Sequence, residues 1–390
     1  MNYKISHPTK VVECEIDLPT SKSISNRLLI IRALCEESFE IENLSDSDDT
    51  KSLIHSLNTL ENTIDVAHAG TTFRFLTSYL AIQNGTEFIL TGSDRLKERP
   101  IKELIEVLKM IGAKIEYLEN DGFAPLKISG SKLKGGFVEI DGGISSQFIS
   151  SILLISPVLQ NGMQLKINSD LVSKPYIEMT LKLMSEFGIH WEWNENKIEI
   201  TPQKYVGKNI AIESDWSAVT FWFEIAALAE KCNIKLNGLF KESIQGDKKV
   251  VKLFENLGVA SVFKNNQLIL TKNGENSLPT EIDLLETPDM YQPLKCTLSA
   301  LSLNPKITGL QTLKDKETNR MIAVKNELEK LKSSKEIETY KDHRMAMSFA
   351  PLCLKFGELQ INNSEVVSKS YPNFWEDLKT GGFTIVPSTD

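Results

Sequence analysis

Short runs of alternating apolar and polar residues take turns along this chain with longer runs in which apolar residues recur every three or four positions. The first short run, residues 11–18, reads as a strand and stops at Pro19-Thr20. The next segment, Ser21-Lys22-Ser23-Ile24-Ser25-Asn26-Arg27, opens an amphipathic helix whose apolar positions are Ile24, Leu28, Ile31 and Leu34. The same succession returns along the chain. A strand ending in an acidic residue leads through a small or polar loop into a helix. It occurs at Glu15-Ile16-Asp17 before 21–34, Ile64-Asp65 before 69–80, and Glu139-Ile140-Asp141 before 145–154. It occurs again at Ile212-Glu213 before 216–228, Glu281-Ile282-Asp283 before 289–301, and Ile337-Glu338 before 343–354.

A second helix follows in several copies. Residues 101–111, 177–187 and 250–257 are predicted helices that stop at Gly112, Gly188 and Gly258, the usual residue just past a helix end. Two short strands then surround a polar turn, as at Asn194-Glu195-Asn196 and Lys264-Asn265-Asn266. The unit is therefore βαβαββ, about 70 residues long. The intervals from Asp17 to Asp65 and from Asp283 to Glu338 are shorter, and in both the closing strand pair looks trimmed. Six units in two sets of three, one trimmed in each set, predict two similar domains with a boundary near Glu213. The competing reading is an ordinary alternating α/β chain without repeats.

Composition narrows the class. A length of 390 residues suits two domains, and 41% hydrophobic with 25% charged residues is ordinary for a soluble protein with a real core. The net charge of −8 argues against nucleic acid or an acidic membrane as the main partner, so any anion site must come from local clusters of Lys and Arg. Cys14, Cys35, Cys232, Cys296 and Cys353 have no paired spacing, which predicts reduced thiols in a cytoplasmic protein and no metal site. Residues 1–10 hold no apolar signal core, and the greasy run 149–159 is too short to span a membrane and reads as a buried helix.

Candidate chemistry gathers where strands hand over to helices. A helix start offers free N–H groups and partial positive charge, and Lys22, two serines and Arg27 make residues 21–27 suited to a phosphate. The plain alternative is a capped helix with two solvated cations. Comparable loops are Ala69-Gly70-Thr71-Thr72-Phe73-Arg74, Gly142-Gly143-Ile144-Ser145-Ser146-Gln147, Pro288-Asp289 and Lys341-Asp342-His343-Arg344. Arg95, Lys97 and Arg99 stand before Pro100 at an expected helix start, where cations oppose the helix dipole and so point to an anionic ligand. Lys316 and Arg320 are expected one turn apart on a single face beside Glu317, either as part of a site or as a surface ion-pair helix. Alone, His343 reads as structural and Asp289 as a helix cap.

Taken in order, these segments resemble the enolpyruvyl transferases, and among them the 5-enolpyruvylshikimate-3-phosphate synthase family. The resemblance covers nearly the whole chain. It rests on residues 21–27, 69–74 and 90–101, then Ser145-Ser146-Gln147-Phe148 and Ser173-Lys174-Pro175-Tyr176-Ile177. It continues through Pro288-Asp289-Met290, Lys316-Glu317-Thr318-Asn319-Arg320, Asp342-His343-Arg344-Met345-Ala346-Met347, and Lys369 before Tyr371-Pro372. It implies an α/β fold of two domains, each of three βαβαββ units in an inside-out α/β barrel-like arrangement, with the active site in the cleft between them. The domains would be 18–212 and 1–17 with 213–390. The implied activity is carboxyvinyl transfer from phosphoenolpyruvate to the 5-hydroxyl of shikimate 3-phosphate on the route to chorismate, with no cofactor, no metal and no macromolecular partner, in a monomer. By motif match, Lys22, Ser23, Arg27, Ser145, Ser146, Gln147, Ser173, Tyr176, Asp289, Thr312 and Lys316 would hold shikimate 3-phosphate. Lys22, Gly70, Arg99, Gln147, Arg320, Arg344 and Lys369 would hold phosphoenolpyruvate. Asp289 would be the base, Glu317 the acid, and Lys22 would lie between the substrates. Planar Arg suits carboxylate and phosphate, and two anionic substrates need several cations.

The chain departs from the family pattern at Thr20, where a Gly is usual, and at His68 and Thr312, where Asn is usual. The sister family acting on UDP-N-acetylglucosamine carries Asn in place of Ser23 and usually a loop Cys, which the 95–99 loop lacks. RNA 3′-phosphate cyclases share related units but suit an acidic chain poorly. A catalytically dead paralogue is opposed by intact Lys22, Asp289, Glu317 and Arg344.

Overall fold

A computed structural model of the chain describes residues 1–265, 267–274 and 277–388; Asn266 of the expected turn lies outside them. The chain forms two compact units, Lys22–Ile212, and Met1–Ser21 with Glu213–Asp390. Among the described residues each contains two four-stranded sheets and one two-stranded sheet. Every four-stranded sheet has one pattern, seen first at Thr63–Asp65: it runs parallel to Glu87–Thr91, which pairs antiparallel with Leu126–Ser129, which pairs antiparallel with Lys114–Tyr117. That is the βαβαββ unit. The two-stranded sheets, Ile210–Ala211 with Ile41–Glu42 and Glu281–Asp283 with Lys306–Thr308, are the trimmed units.

Helices fill the middle of each unit. Gly70–Ala81 is buried on every side, and Ser146–Ile155 is buried from Phe148 onward. Apolar character all round marks a core helix, not a surface one. Small hydroxyl residues let these helices approach closely: Ser151 Oγ donates to the Arg74 carbonyl oxygen at 2.7 Å and accepts from the Ser78 hydroxyl at 2.6 Å. In the other unit Trp216–Leu228 plays this part, with all but Ser217 buried, and anchors a core with Phe254, Phe349 and Phe374. Burying side chains of this size is worth about 1.5–3 kcal/mol each. Among the described residues no helix is long and apolar enough to cross a membrane.

Two strand assignments differ from the sequence reading. Val11–Asp17 does not serve the helix that follows it, Lys22–Leu34. It runs parallel to Lys231–Asn237, in the sheet of the helix Trp216–Leu228. Ile210–Ala211 in turn pairs with Ile41–Glu42, which follows Lys22–Leu34. The strands are exchanged because the chain leaves one unit after Ser21 and returns at Glu213. Thr20 bridges Ser214, and Ser21 N donates to the Glu213 carbonyl oxygen at 3.0 Å, so the two passages lie side by side. Asn2–Ser6 is the last strand of the last unit, inserted between Leu359–Ile361 and Thr384–Ser388.

Candidate active site

In the Lys22–Ile212 unit the implied ligand residues form three neighbourhoods. Arg27, 2% exposed, donates from Nε to Thr180 Oγ1 at 2.7 Å and from Nη1 to the Ser23 carbonyl oxygen at 2.8 Å. Its Nη2 donates to Ser150 Oγ at 3.1 Å and to the Tyr176 carbonyl oxygen at 3.2 Å. The guanidinium carbon lies 5.5 Å from the Phe75 ring centre and 5.9 Å from that of Tyr176. Burial lowers its pKa to about 10, still far above neutrality, so the cation persists in a carbonyl and hydroxyl cage. Ser173 begins the helix Lys174–Glu186 with a left-handed φ of 57°, which carries Tyr176 to this cage.

The second neighbourhood surrounds Gly70. A Cβ on Gly70 would lie 2.5 Å from Arg99 Nη1 and 2.8 Å from Arg74 Nη1, so the missing side chain lets two guanidiniums close on the helix start. Arg74 Nη1 donates to the Gly70 carbonyl oxygen at 2.8 Å, and its guanidinium lies against Phe148. Gln147 Nε2 donates to Thr71 Oγ1 at 3.2 Å, while the buried Gln147 Oε1 accepts no hydrogen bond among the described residues. Ser145 caps the helix that begins at Ser146, accepting from Gln147 N. In the third neighbourhood Lys22 Nζ stands 3.6 Å from the buried Asp49 Oδ2.

Arg95 and Lys97 do not join these groups. They occupy the last turn of the short helix Asp94–Lys97, where the dipole favours cations, and pair with Glu98 at 2.8 Å and Glu119 at 2.9 Å. Only Arg99, past the helix end, reaches Gly70.

The other unit holds a dense charge cluster. Asp289 sits in the turn Pro288–Met290 ahead of the helix Tyr291–Ala300. Its Oδ1 lies 2.8 Å from Arg320 Nη1 and 3.2 Å from Lys316 Nζ, and its Oδ2 lies 3.7 Å from Arg344 Nη2. Arg344 Nη1 also donates to the Asp289 carbonyl oxygen at 3.0 Å. Burial pushes the Asp289 carboxyl up, but Lys316, Arg344 and Arg320 outweigh it and hold the group well below the usual carboxylate range. Glu317 bridges two cations, with Arg320 Nη2 at 2.9 Å and Lys369 Nζ at 2.6 Å. Lys316 and Arg320 are not on one helical face: the helix starts only at Arg320, capped by Asn319, and the two cations meet at Asp289. Thr312 lies in the turn Gln311–Asp315, and its buried hydroxyl makes no hydrogen bond among the described residues.

Asp342 was not singled out as a site residue, though its motif was. It is 0% exposed, receives Arg320 Nε at 2.8 Å, and accepts from Arg344 N at 2.9 Å as cap of the helix His343–Phe349. One carboxylate thus orients both arginines. Asp247, buried beside this cluster, is hydrogen-bonded by Ser217 Oγ. Burial pushes it up to about 6, with Arg344 and Ser217 opposing and Asp289 and Asp215 adding to the rise. Asp49, Thr71, Arg74, Ser150 and Thr180 were missed in the same way, since nothing in their local pattern separates a partner of a site cation from an ordinary polar residue.

Residues 6–68 and 61–378 match the model of a protein family described as EPSP synthase (3-phosphoshikimate 1-carboxyvinyltransferase). A protein of that second name from Bacteroides fragilis (strain YCH46) is 42% identical, with 99% of each chain covered. One from Mannheimia haemolytica is 33% identical over 95% of this chain and 97% of its own. In fold, an EPSP synthase from Acinetobacter baumannii superimposes with a TM-score of 0.78 at 20% identity, covering 99% of this chain and all of that one. The match runs nearly end to end, and with it this chain belongs to the EPSP synthase family.

Proposed function

We propose that this chain transfers the enolpyruvyl group of phosphoenolpyruvate to the 5-hydroxyl of shikimate 3-phosphate, a step of the shikimate pathway toward aromatic amino acids. The observation that carries the reading is the state of the two candidate proton carriers. Asp289 and Glu317 are tied to four cations, Lys316, Arg320, Arg344 and Lys369. A site prepared for two polyanions has this surplus of cations, and its own carboxylates hold them in the meantime.

Phosphoenolpyruvate takes Arg320, Arg344 and Lys369, and, by motif match, Gly70, Arg99 and Gln147. Shikimate 3-phosphate takes Ser23, Arg27, Ser145, Ser146, Ser173, Tyr176, Thr312 and Lys316, and Lys22 serves both. As the substrate anions draw the cations away, Asp289 becomes a stronger base and Glu317 free to take up a proton. The 5-hydroxyl oxygen then bonds to C2, its proton passes to Asp289, and the π electrons of C2=C3 take the Glu317 proton at C3. In the second half the C2–O bond to phosphate breaks as the departing oxygen takes the proton held by Asp289, a C3 proton returns to Glu317, and C2=C3 re-forms. The scattered cysteines, without paired spacing, support a cytoplasmic enzyme.

Hydrogen exchange at C3 tests the acid. With both substrates in heavy water, recovered phosphoenolpyruvate should carry deuterium at C3, and Glu317→Gln should suppress that uptake at least tenfold, equal to about 1.4 kcal/mol. Undiminished uptake in the variant would remove Glu317 from this role.

A further inference from the structure

Glu224 and Gln292 lie in the helical core of the unit that holds Asp289, and the charged cluster uses neither. Both are 0% exposed. Neither carboxyl oxygen of Glu224 and neither amide atom of Gln292 has a hydrogen-bond partner among the described residues. Glu224 is on Trp216–Leu228 and Gln292 on Tyr291–Ala300, two helices that pack together. Arg344 fixes their relative level, because its guanidinium is 6.0 Å from the Phe221 ring centre and bonded to the Asp289 carbonyl oxygen. Three residues on from Phe221 is Glu224, and three on from Asp289 is Gln292. Each therefore stands about one turn along its helix from the point that Arg344 touches. Cys296, one turn further along the helix of Gln292, is also close to Glu224.

Four buried polar atoms without partners are costly, and an ionised Glu224 would be costlier still. No cation offsets it among the described residues. The nearby elements bring Lys272, which is bonded to the Ala227 and Ala229 carbonyl oxygens, and Arg344, which is bonded to Asp289. They also bring His343 beside Asp342, and Asp247 bonded by Ser217. A neutral carboxylic acid and a primary amide solve the problem together. A single internal water between them accepts from the acid O–H and the amide N–H and donates to the acid carbonyl and the amide oxygen, so one uncharged cluster satisfies all four atoms.

We propose that Glu224 is an un-ionised acid linked to Gln292 through an internal water, and that the pair sets the register of the two helices next to Asp289 and Arg344. Both are positioning residues. The pairing stands apart from the assignment of the site, whereas its effect on turnover rests on that assignment.

The test is equilibrium unfolding of Glu224→Leu, Gln292→Leu and the double variant. Each single change strands its partner and lowers the unfolding midpoint, and the double variant recovers most of the loss. Additive losses would overturn the pairing. Infrared spectra of the wild type serve where a Leu variant fails to fold. At neutral pH they should contain an un-ionised carboxyl C=O band that Glu224→Gln removes; a spectrum unchanged by that substitution would also overturn it. Glu224→Gln keeps an amide–amide pair, and so should keep midpoint and turnover close to wild type. Each single Leu variant should lower kcat several-fold with less change in KM, and the double variant should restore it. An unchanged kcat in the single variants would overturn the positioning role. If the site assignment itself were wrong, the unfolding coupling would persist.

Discussion

Lys22 and Arg27 are close in sequence and both cationic, yet their surroundings assign them different work. Lys22 stands at ion-pair distance from Asp49, whereas Arg27 is built into the helix packing by hydrogen bonds to Thr180, Ser23, Ser150 and Tyr176. Lys22→Met should abolish turnover and lower unfolding stability by about 1 kcal/mol. Arg27→Met should lower stability by about 3 kcal/mol as well as activity, because it removes four hydrogen bonds made by a buried cation. Denaturation curves beside activity assays separate the two, and near-full activity of Lys22→Met would remove that lysine from the mechanism. Asp247 carries a pH dependence at the same scale. Its carboxyl is raised from 3.8 to about 6, chiefly by burial, so the folded state binds the proton more tightly. The wild type then loses stability as pH rises from about 4 to about 6, and Asp247→Asn does not. Relative to wild type, the variant should gain about 1–3 kcal/mol between pH 4 and pH 7 in urea denaturation. A pH-independent difference would contradict this origin.

At the scale of elements, the start of the helix Gly70–Ala81 is defined by a missing side chain. Gly70→Ala would press on the ends of Arg99 and Arg74, which are flexible enough to yield. Folding should therefore change little, while KM for phosphoenolpyruvate rises about tenfold as the cations shift, a loss of about 1.4 kcal/mol in binding. An unchanged KM would show that these guanidiniums do not meet that substrate. The elements also show what the chain's pattern can convey. The helix Trp216–Leu228 was legible to the residue, because apolar periodicity is local. The exchange of Val11–Asp17 and Ile210–Ala211 was not, because a strand's partner is chosen by distant sequence. Arg95 and Lys97 misled for a local reason: one turn of helix, begun at Ser93, turned an expected helix start into a helix end. Asp342 was visible in its motif, but only the fold brings Arg320 to it, 22 residues away in the chain.

Across the whole molecule, the repeat read from strand and helix order survives as six sheets, two of them trimmed. The family match covers both units, and the residues expected to meet substrate fall in both. Repetition explains why so many candidate groups stand at helix starts, since each unit delivers one inner helix in the same way. The central claim is chemical, and phosphate release tests it most directly. Purified protein given phosphoenolpyruvate and shikimate 3-phosphate should release inorganic phosphate, and neither substrate alone should support release. Release that fails with shikimate 3-phosphate but proceeds with UDP-N-acetylglucosamine would contradict the account.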